Sequence, residues 1–101
     1  MIVEYTRYKI TDERRVQFLQ PYEKAAEYLK SSPACLAYEL SHRSEEPARY
    51  ILRIESKSTD VHLKGFRGEV GFKPFFQLVQ PFFPDIEEML RYELTEVVHR
   101  S

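Results

Sequence analysis

Four stretches of this chain alternate apolar and polar residues with the period of a β-strand, and the stretches between them do not. The first is IVEYTRYKI at residues 2–10, rich in β-branched and aromatic residues. The second is ACLAYELSHR at 34–43, where Leu36, Tyr38 and Leu40 share one face and Cys35, Ala37 and Glu39 the other. The third is ARYILRIE at 48–55, with Tyr50, Leu52 and Ile54 on one side and Ile51 among Arg49, Arg53 and Glu55 on the other. The polar turn Ser44-Glu45-Glu46-Pro47 makes the second and third an antiparallel hairpin. The fourth is DIEEMLRYELTEVV at 85–98, with Ile86, Leu90, Tyr92, Leu94 and Val98 on one side and Met89, Arg91, Glu93, Thr95 and Val97 on the other. A helix competes over 85–94, because DIEEML is helix-friendly; the later β-branched residues favour a strand.

Between the first two strands, Thr11 or Asp12 offers an N-cap, Glu13 sits in the first turn, and a helix is expected to about Lys30. Val16, Leu19, Ala26 and Leu29 form its apolar stripe. Pro21 is expected to kink the helix or split it near Gln20. After the hairpin, Ser58, Thr59 or Asp60 can cap a further segment. Gly65 and Gly68 interrupt it, which predicts a short helix near 60–66 and another near 69–80, with positive φ at one glycine and Pro81 and Pro84 as the stop.

The order is β-α-β-β-α-β. It predicts one α+β domain over residues 1–101, of the ferredoxin-like kind: a four-stranded antiparallel sheet with the helices on one face. The helices are expected over Tyr38, Leu40, Leu52 and Ile54, or over the opposite face. The uncovered side then carries Ile51, Met89 and Val97 among Arg53, Arg91, Glu39 and Glu93. Pairing two such sheets would remove those apolar groups from water, so a homodimer through the open face is the expected assembly.

Composition removes several classes of function. Fifteen basic and sixteen acidic residues are spread along the chain, so neither nucleic acid nor an anionic membrane is an expected partner. The single cysteine, Cys35, excludes an internal disulfide and forms no metal motif; it reads as a small buried strand residue. The charged, alternating N-terminus is unlike a signal peptide, and no apolar run reaches membrane-spanning length, so a cytoplasmic location is expected. Seven Phe and seven Tyr are many for 101 residues, which points to a pocket or a partner surface.

The segments CLAYELSHRSEEPARYILRIES and HLKGFRGEVGFKPFF, followed by a closing strand, resemble the antibiotic biosynthesis monooxygenase family of dimeric α/β-barrel proteins. The resemblance covers residues 2–98. It implies a ligand pocket between the sheet and the second helical segment, and an activity like that of the cofactor-independent quinol and anthrone oxygenases. It places the family's histidine at His62, as a base or orienting group for a phenolic substrate. Heme-degrading relatives bind iron at the matching position, so heme is a further possible cofactor. This chain departs from that branch: it has no Asn for the first strand and no Trp at the end of the third, where Glu55-Ser56-Lys57 stands.

The candidate site is therefore His62 as the catalytic residue, with Phe66, Arg67, Tyr50 and Phe72 contacting a small aromatic ligand. A neutral imidazole can accept a phenol proton near pH 7. Phe66 lies beside the glycine break, and Arg67 could hold an acidic group. Each has a plainer reading: a solvated histidine and arginine at a helix end, and phenylalanines at core spacing. A non-catalytic dimer that holds a small ligand or heme, as in a stress response, remains the alternative function.

Overall fold

The computed structural model describes residues 1–57, 68, 69 and 71–99. Strand β1 (Ile2–Lys9) leads through a 3-10 turn (Asp12–Arg14) into helix α1 (Arg15–Lys30). Strands β2 (Ala37–His42) and β3 (Arg49–Ser56) form the antiparallel hairpin. Helix α2 (Phe72–Val79) passes through a 3-10 segment (Gln80–Asp85) into β4 (Ile86–Glu93). The strands lie in the order β2-β3-β1-β4, all neighbours antiparallel, which is the ferredoxin-like arrangement expected from the alternation. No helix among the described residues is long and apolar enough to cross a membrane.

The core lies between the sheet and α1. Phe18, Tyr22, Ala25 and Leu29 are the buried residues of α1, at spacings of four, three and four. This corrects the expected stripe: Val16 is 64% exposed, and Leu19 only packs at the edge of the core. The reason is size. The ring of Phe18 meets Tyr8, Tyr22, Tyr50 and Phe82 at centroid distances of 4.9–5.1 Å, so the aromatic side of the helix turns inward and the smaller Val16 turns out. Helix α1 also runs through Pro21 as one element, not two. The hydrogen bond that Pro21 cannot donate would have gone to the carbonyl of Gln17, and Gln17 is exposed, where water can satisfy it.

Residues 80–85 fasten the far end. Phe82 inserts into the core, the Arg14 guanidinium lies 5.8 Å from its ring centre, and Arg14 grips Asp85 through two bonds of 2.7 and 2.9 Å. Gly71 sits where α2 approaches α1: a Cβ there would stand 3.2 Å from the ring of Tyr28. Gly68 has no positive φ; Gly65, the other glycine at which one was expected, and the helix expected near 60–66 lie outside the described residues.

The closing segment is a strand, not a helix, and it is shorter than expected, ending at Glu93. Its pairing with β1 slips at one point: Arg7 faces Glu88, while Tyr8 faces Ile86. Glu87 is the extra residue of a β-bulge. Ile86 therefore points to the helix side while Leu90 and Tyr92 point to the open side, despite their common parity. Met89 and Arg91, expected on the open face, stand beside Thr6 and Glu4 under the helices.

Candidate functional site

A cavity of about 160 Å³ lies between the sheet and the helices. Its floor comes from three strands. Along β1, Glu4, Thr6 and Tyr8 face inward, at two-residue intervals. Leu52, Ile54 and Ser56 flank them from β3, and Met89 and Arg91 from β4. Phe75, Phe76 and Val79 of α2, with Phe83, form one wall; Tyr22 and Leu29 of α1, with Ala34 and Cys35, form another. The walls are mostly hydrocarbon, and the polar groups are concentrated on the floor.

Two couples are found among the polar lining groups, one on the floor and one joining the floor to the α1 wall. At one end, Arg91 Nε lies 3.2 Å from Glu4 Oε2. The Glu4 side chain is 9% exposed and that of Arg91 38%, so the carboxylate is inside and the guanidinium nearer solvent. At the other end the buried hydroxyls of Tyr8 and Tyr22 are hydrogen-bonded to each other. Residues 4 and 8 are separated by about 13 Å of strand. Burial pushes the Tyr8 phenol up to about 12, against the opposing pull of its bond to Tyr22 and with help from the charge of Glu4. Burial pushes Tyr22 higher still, with further help from Tyr8 and Glu4. Both phenols stay neutral at physiological pH.

Cys35 is half-buried in the loop before β2, not in the strand itself. Burial raises its thiol, which lies 3.5 Å from the carbonyl of Ala37. It is a polar wall residue, not an activated nucleophile.

The residues expected at the site separate into two groups. His62, Phe66 and Arg67 lie outside the described residues. Tyr50 and Phe72 are described, and neither lines the cavity. Tyr50 is a core residue packed on Phe18, with a buried hydroxyl that has no partner among the described residues. Phe72 packs on Phe76, which does line the cavity, at 5.8 Å. Tyr8 and Tyr22 take the lining position expected of Tyr50. Glu4, Thr6, Ser56 and Arg91 were not expected at the site at all. One signal was available: Glu4 and Thr6 share strand parity with Tyr8 and Ile10, so any inward placement of those two apolar residues carries the polar pair with it.

Among the described residues no group of three or more His, Cys, Asp or Glu side chains could hold a metal ion; His62, the position matched to the iron ligand of heme-degrading relatives, lies outside them.

No family model matches the chain. It is 26% identical over 90 residues to the uncharacterized protein YczJ of Bacillus subtilis strain 168, covering 86% of this chain and 95% of that one. Among solved structures, one provisionally named as an antibiotic biosynthesis monooxygenase from Bordetella bronchiseptica superposes with a TM-score of 0.76 at 21% identity, over 93% of this chain and 96% of the other. A similarly named protein from Caulobacter crescentus CB15 gives 0.73 at 21% identity, over 94% and 90%. One from Deinococcus radiodurans gives 0.75 at 13% identity, over 100% and 99%. This chain has the fold of the proteins that bear that family name. The likeness extends over nearly the whole length of both partners.

Proposed function

We propose that this chain is a cofactor-independent oxygenase of the antibiotic biosynthesis monooxygenase type, acting on a small electron-rich hydroxyaromatic such as a quinol. The observation that supports this reading most is the cavity under the helices, with hydrocarbon walls and a floor of hydroxyl and carboxylate groups. Flat aromatic ligands suit such walls, and their oxygen atoms suit such a floor. A quinol supplies all the electrons the reaction needs: one oxygen atom of O₂ enters the ring, the other leaves as water, and a hydroxyquinone results. The protein has to accept or relay a proton, keep water out and leave room for oxygen. His62 is proposed as a base or orienting group, with Phe66 and Arg67 as ligand contacts.

The assembly proposed is a homodimer through the open face of the sheet. Leu90 and Tyr92 are 43% and 50% exposed there, beside Tyr5 and Ile51. Ion pairs of Arg7 with Glu88 and of Arg53 with Glu39 surround them. A row of apolar groups within a charged rim suits association with a second copy.

The test is oxygen uptake with 1,4-dihydroxynaphthalene under labelled O₂. The reading predicts a hydroxynaphthoquinone carrying one labelled atom, formed above the rate without protein. His62→Ala should lower turnover at least about tenfold with an unchanged melting temperature. Saturable binding without oxygen uptake would instead favour the ligand-holding alternative.

A further inference from the structure

Among the described residues, four titratable groups besides Arg91 line the cavity: Glu4, Tyr8, Tyr22 and Cys35. Three of them are poor proton acceptors. The two tyrosine hydroxyls are bonded to each other in the core, and the thiol of Cys35 faces a carbonyl. Burial raises all three, so they hold their protons at physiological pH. Glu4 differs. It enters the cavity floor from the central strand β1, nine-tenths buried, with a guanidinium from edge strand β4 held 3.2 Å away on the solvent side.

We propose that Glu4 is the proton acceptor for a hydroxyaromatic ligand in this cavity, and that Arg91 compensates the charge the transfer moves. The inference rests on the ligand reading given above. A carboxylate has several acceptor positions, so a ligand hydroxyl can donate to Glu4 while Arg91 holds it. The O–H bond of the ligand breaks and an O–H bond on Glu4 forms. One negative charge passes from the carboxylate to the ligand oxygen, and Arg91 stays within reach of both. No net charge enters or leaves the apolar chamber, so the step avoids the cost of creating a charge in a poorly solvated site. The Tyr8–Tyr22 couple, about 13 Å along the strand, is suited to hydrogen-bond an oxygen at the opposite end of the ligand. The substrate class that follows is a compact fused-ring phenol or quinol that fits a cavity of about 160 Å³, with one hydroxyl at Glu4 and a second oxygen toward the tyrosine couple.

The test uses the full chain and 2-naphthol, a photoacid that does not consume oxygen. In a dry site its excited state emits as naphtholate only where a neighbouring group takes the proton. The wild-type complex should emit as naphtholate. Glu4→Gln should cut the naphtholate share of the bound emission at least about tenfold while 2-naphthol still binds. Glu4→Asp, which keeps the charge and the ion pair but withdraws the acceptor by one methylene, should give an intermediate share and covers the case in which Glu4→Gln folds poorly. Unchanged naphtholate emission in Glu4→Gln, or in Glu4→Asp if that variant alone folds, overturns the role of Glu4. Failure of 2-naphthol to bind the wild type overturns this inference and the cavity reading together. Proton transfer to Glu4 without oxygen uptake from 1,4-dihydroxynaphthalene leaves this inference standing and removes the oxygenase reading.

Discussion

Both faces of the sheet carry polar groups and use them differently. On the open face Arg7 pairs with Glu88 and Arg53 with Glu39 near solvent, and Arg53 also pairs with the buried Glu55. A hydrogen bond with Tyr5 does most to hold the Arg53 guanidinium in its charged form, against the opposing effect of burial and with further help from Glu55 and Glu39. On the helix face the polar groups are few, buried and placed around a cavity. Glu4, Thr6 and Ser56 are each less than a tenth exposed. Polar groups on an open sheet keep it soluble and set the register of any partner. Polar groups under helices cost stability unless satisfied, and the Glu4 carboxylate is held there by Arg91.

Substitutions on the two faces should separate by size. The largest effect is expected at Phe18, fully buried at the centre of the aromatic cluster. Phe18→Ala should cost about 3–5 kcal/mol in urea unfolding; a loss below about 1 kcal/mol would mean that the core is not packed around this ring. Next is the hydroxyl couple. Tyr22→Phe leaves the buried Tyr8 hydroxyl without its partner and should cost about 1–3 kcal/mol. The double variant Tyr8→Phe/Tyr22→Phe should recover much of that, because neither buried hydroxyl is then left unmatched.

The same couple predicts a pH dependence. Tyr8 has its folded value raised from 10.0 to about 12, so the unfolded chain ionises first. The stabilisation is fully present below pH 10, and it is lost as pH rises through about 12. For this group alone the loss is about 2–3 kcal/mol, read from urea midpoints across that range. Tyr8→Phe should remove that part of the alkaline decline; an identical decline in the variant would show that other groups cause it.

The open face should respond in assembly rather than in folding. Leu90→Arg should weaken self-association at least about tenfold in sedimentation, by placing a charge in a desolvated contact. Equal association of variant and wild type would move the interface elsewhere. The smallest effect is expected at Arg7, half-exposed in its pair with Glu88. Arg7→Ala should change monomer stability by less than about 1 kcal/mol.

Much of this arrangement was legible in the sequence. The element order followed from alternation and turn residues, and parity grouped Tyr50, Leu52 and Ile54 on one face, which the structure shows to be the covered one. Two things were not legible. Glu87 adds a residue to β4 without any glycine or proline to mark it, and that one residue decides whether Met89 and Arg91 face the cavity or the open side. A one-residue shift inverts every later side chain. The second is β1, whose faces read Ile-Glu-Thr-Tyr-Ile and Val-Tyr-Arg-Lys; each mixes apolar and polar groups, so alternation identifies two faces without saying which is covered. The helix α1 stripe was displaced for a related reason: the large aromatics Phe18 and Tyr22, regularly spaced with Ala25 and Leu29, took the core in place of Val16 and Leu19. The resemblance carried His62, Phe66 and Arg67 as site residues, and these lie outside the described residues.

The central claim is that a ligand occupies the chamber under the helices, and the chain carries its own reporter. Cys35 is the single cysteine and lines that chamber. The rate at which a small thiol reagent labels Cys35 should be measured as 2-naphthol is added. Mass action predicts a saturable fall of about tenfold when the ligand is present at about ten times its dissociation constant. A labelling rate that stays constant at every 2-naphthol concentration would contradict the account.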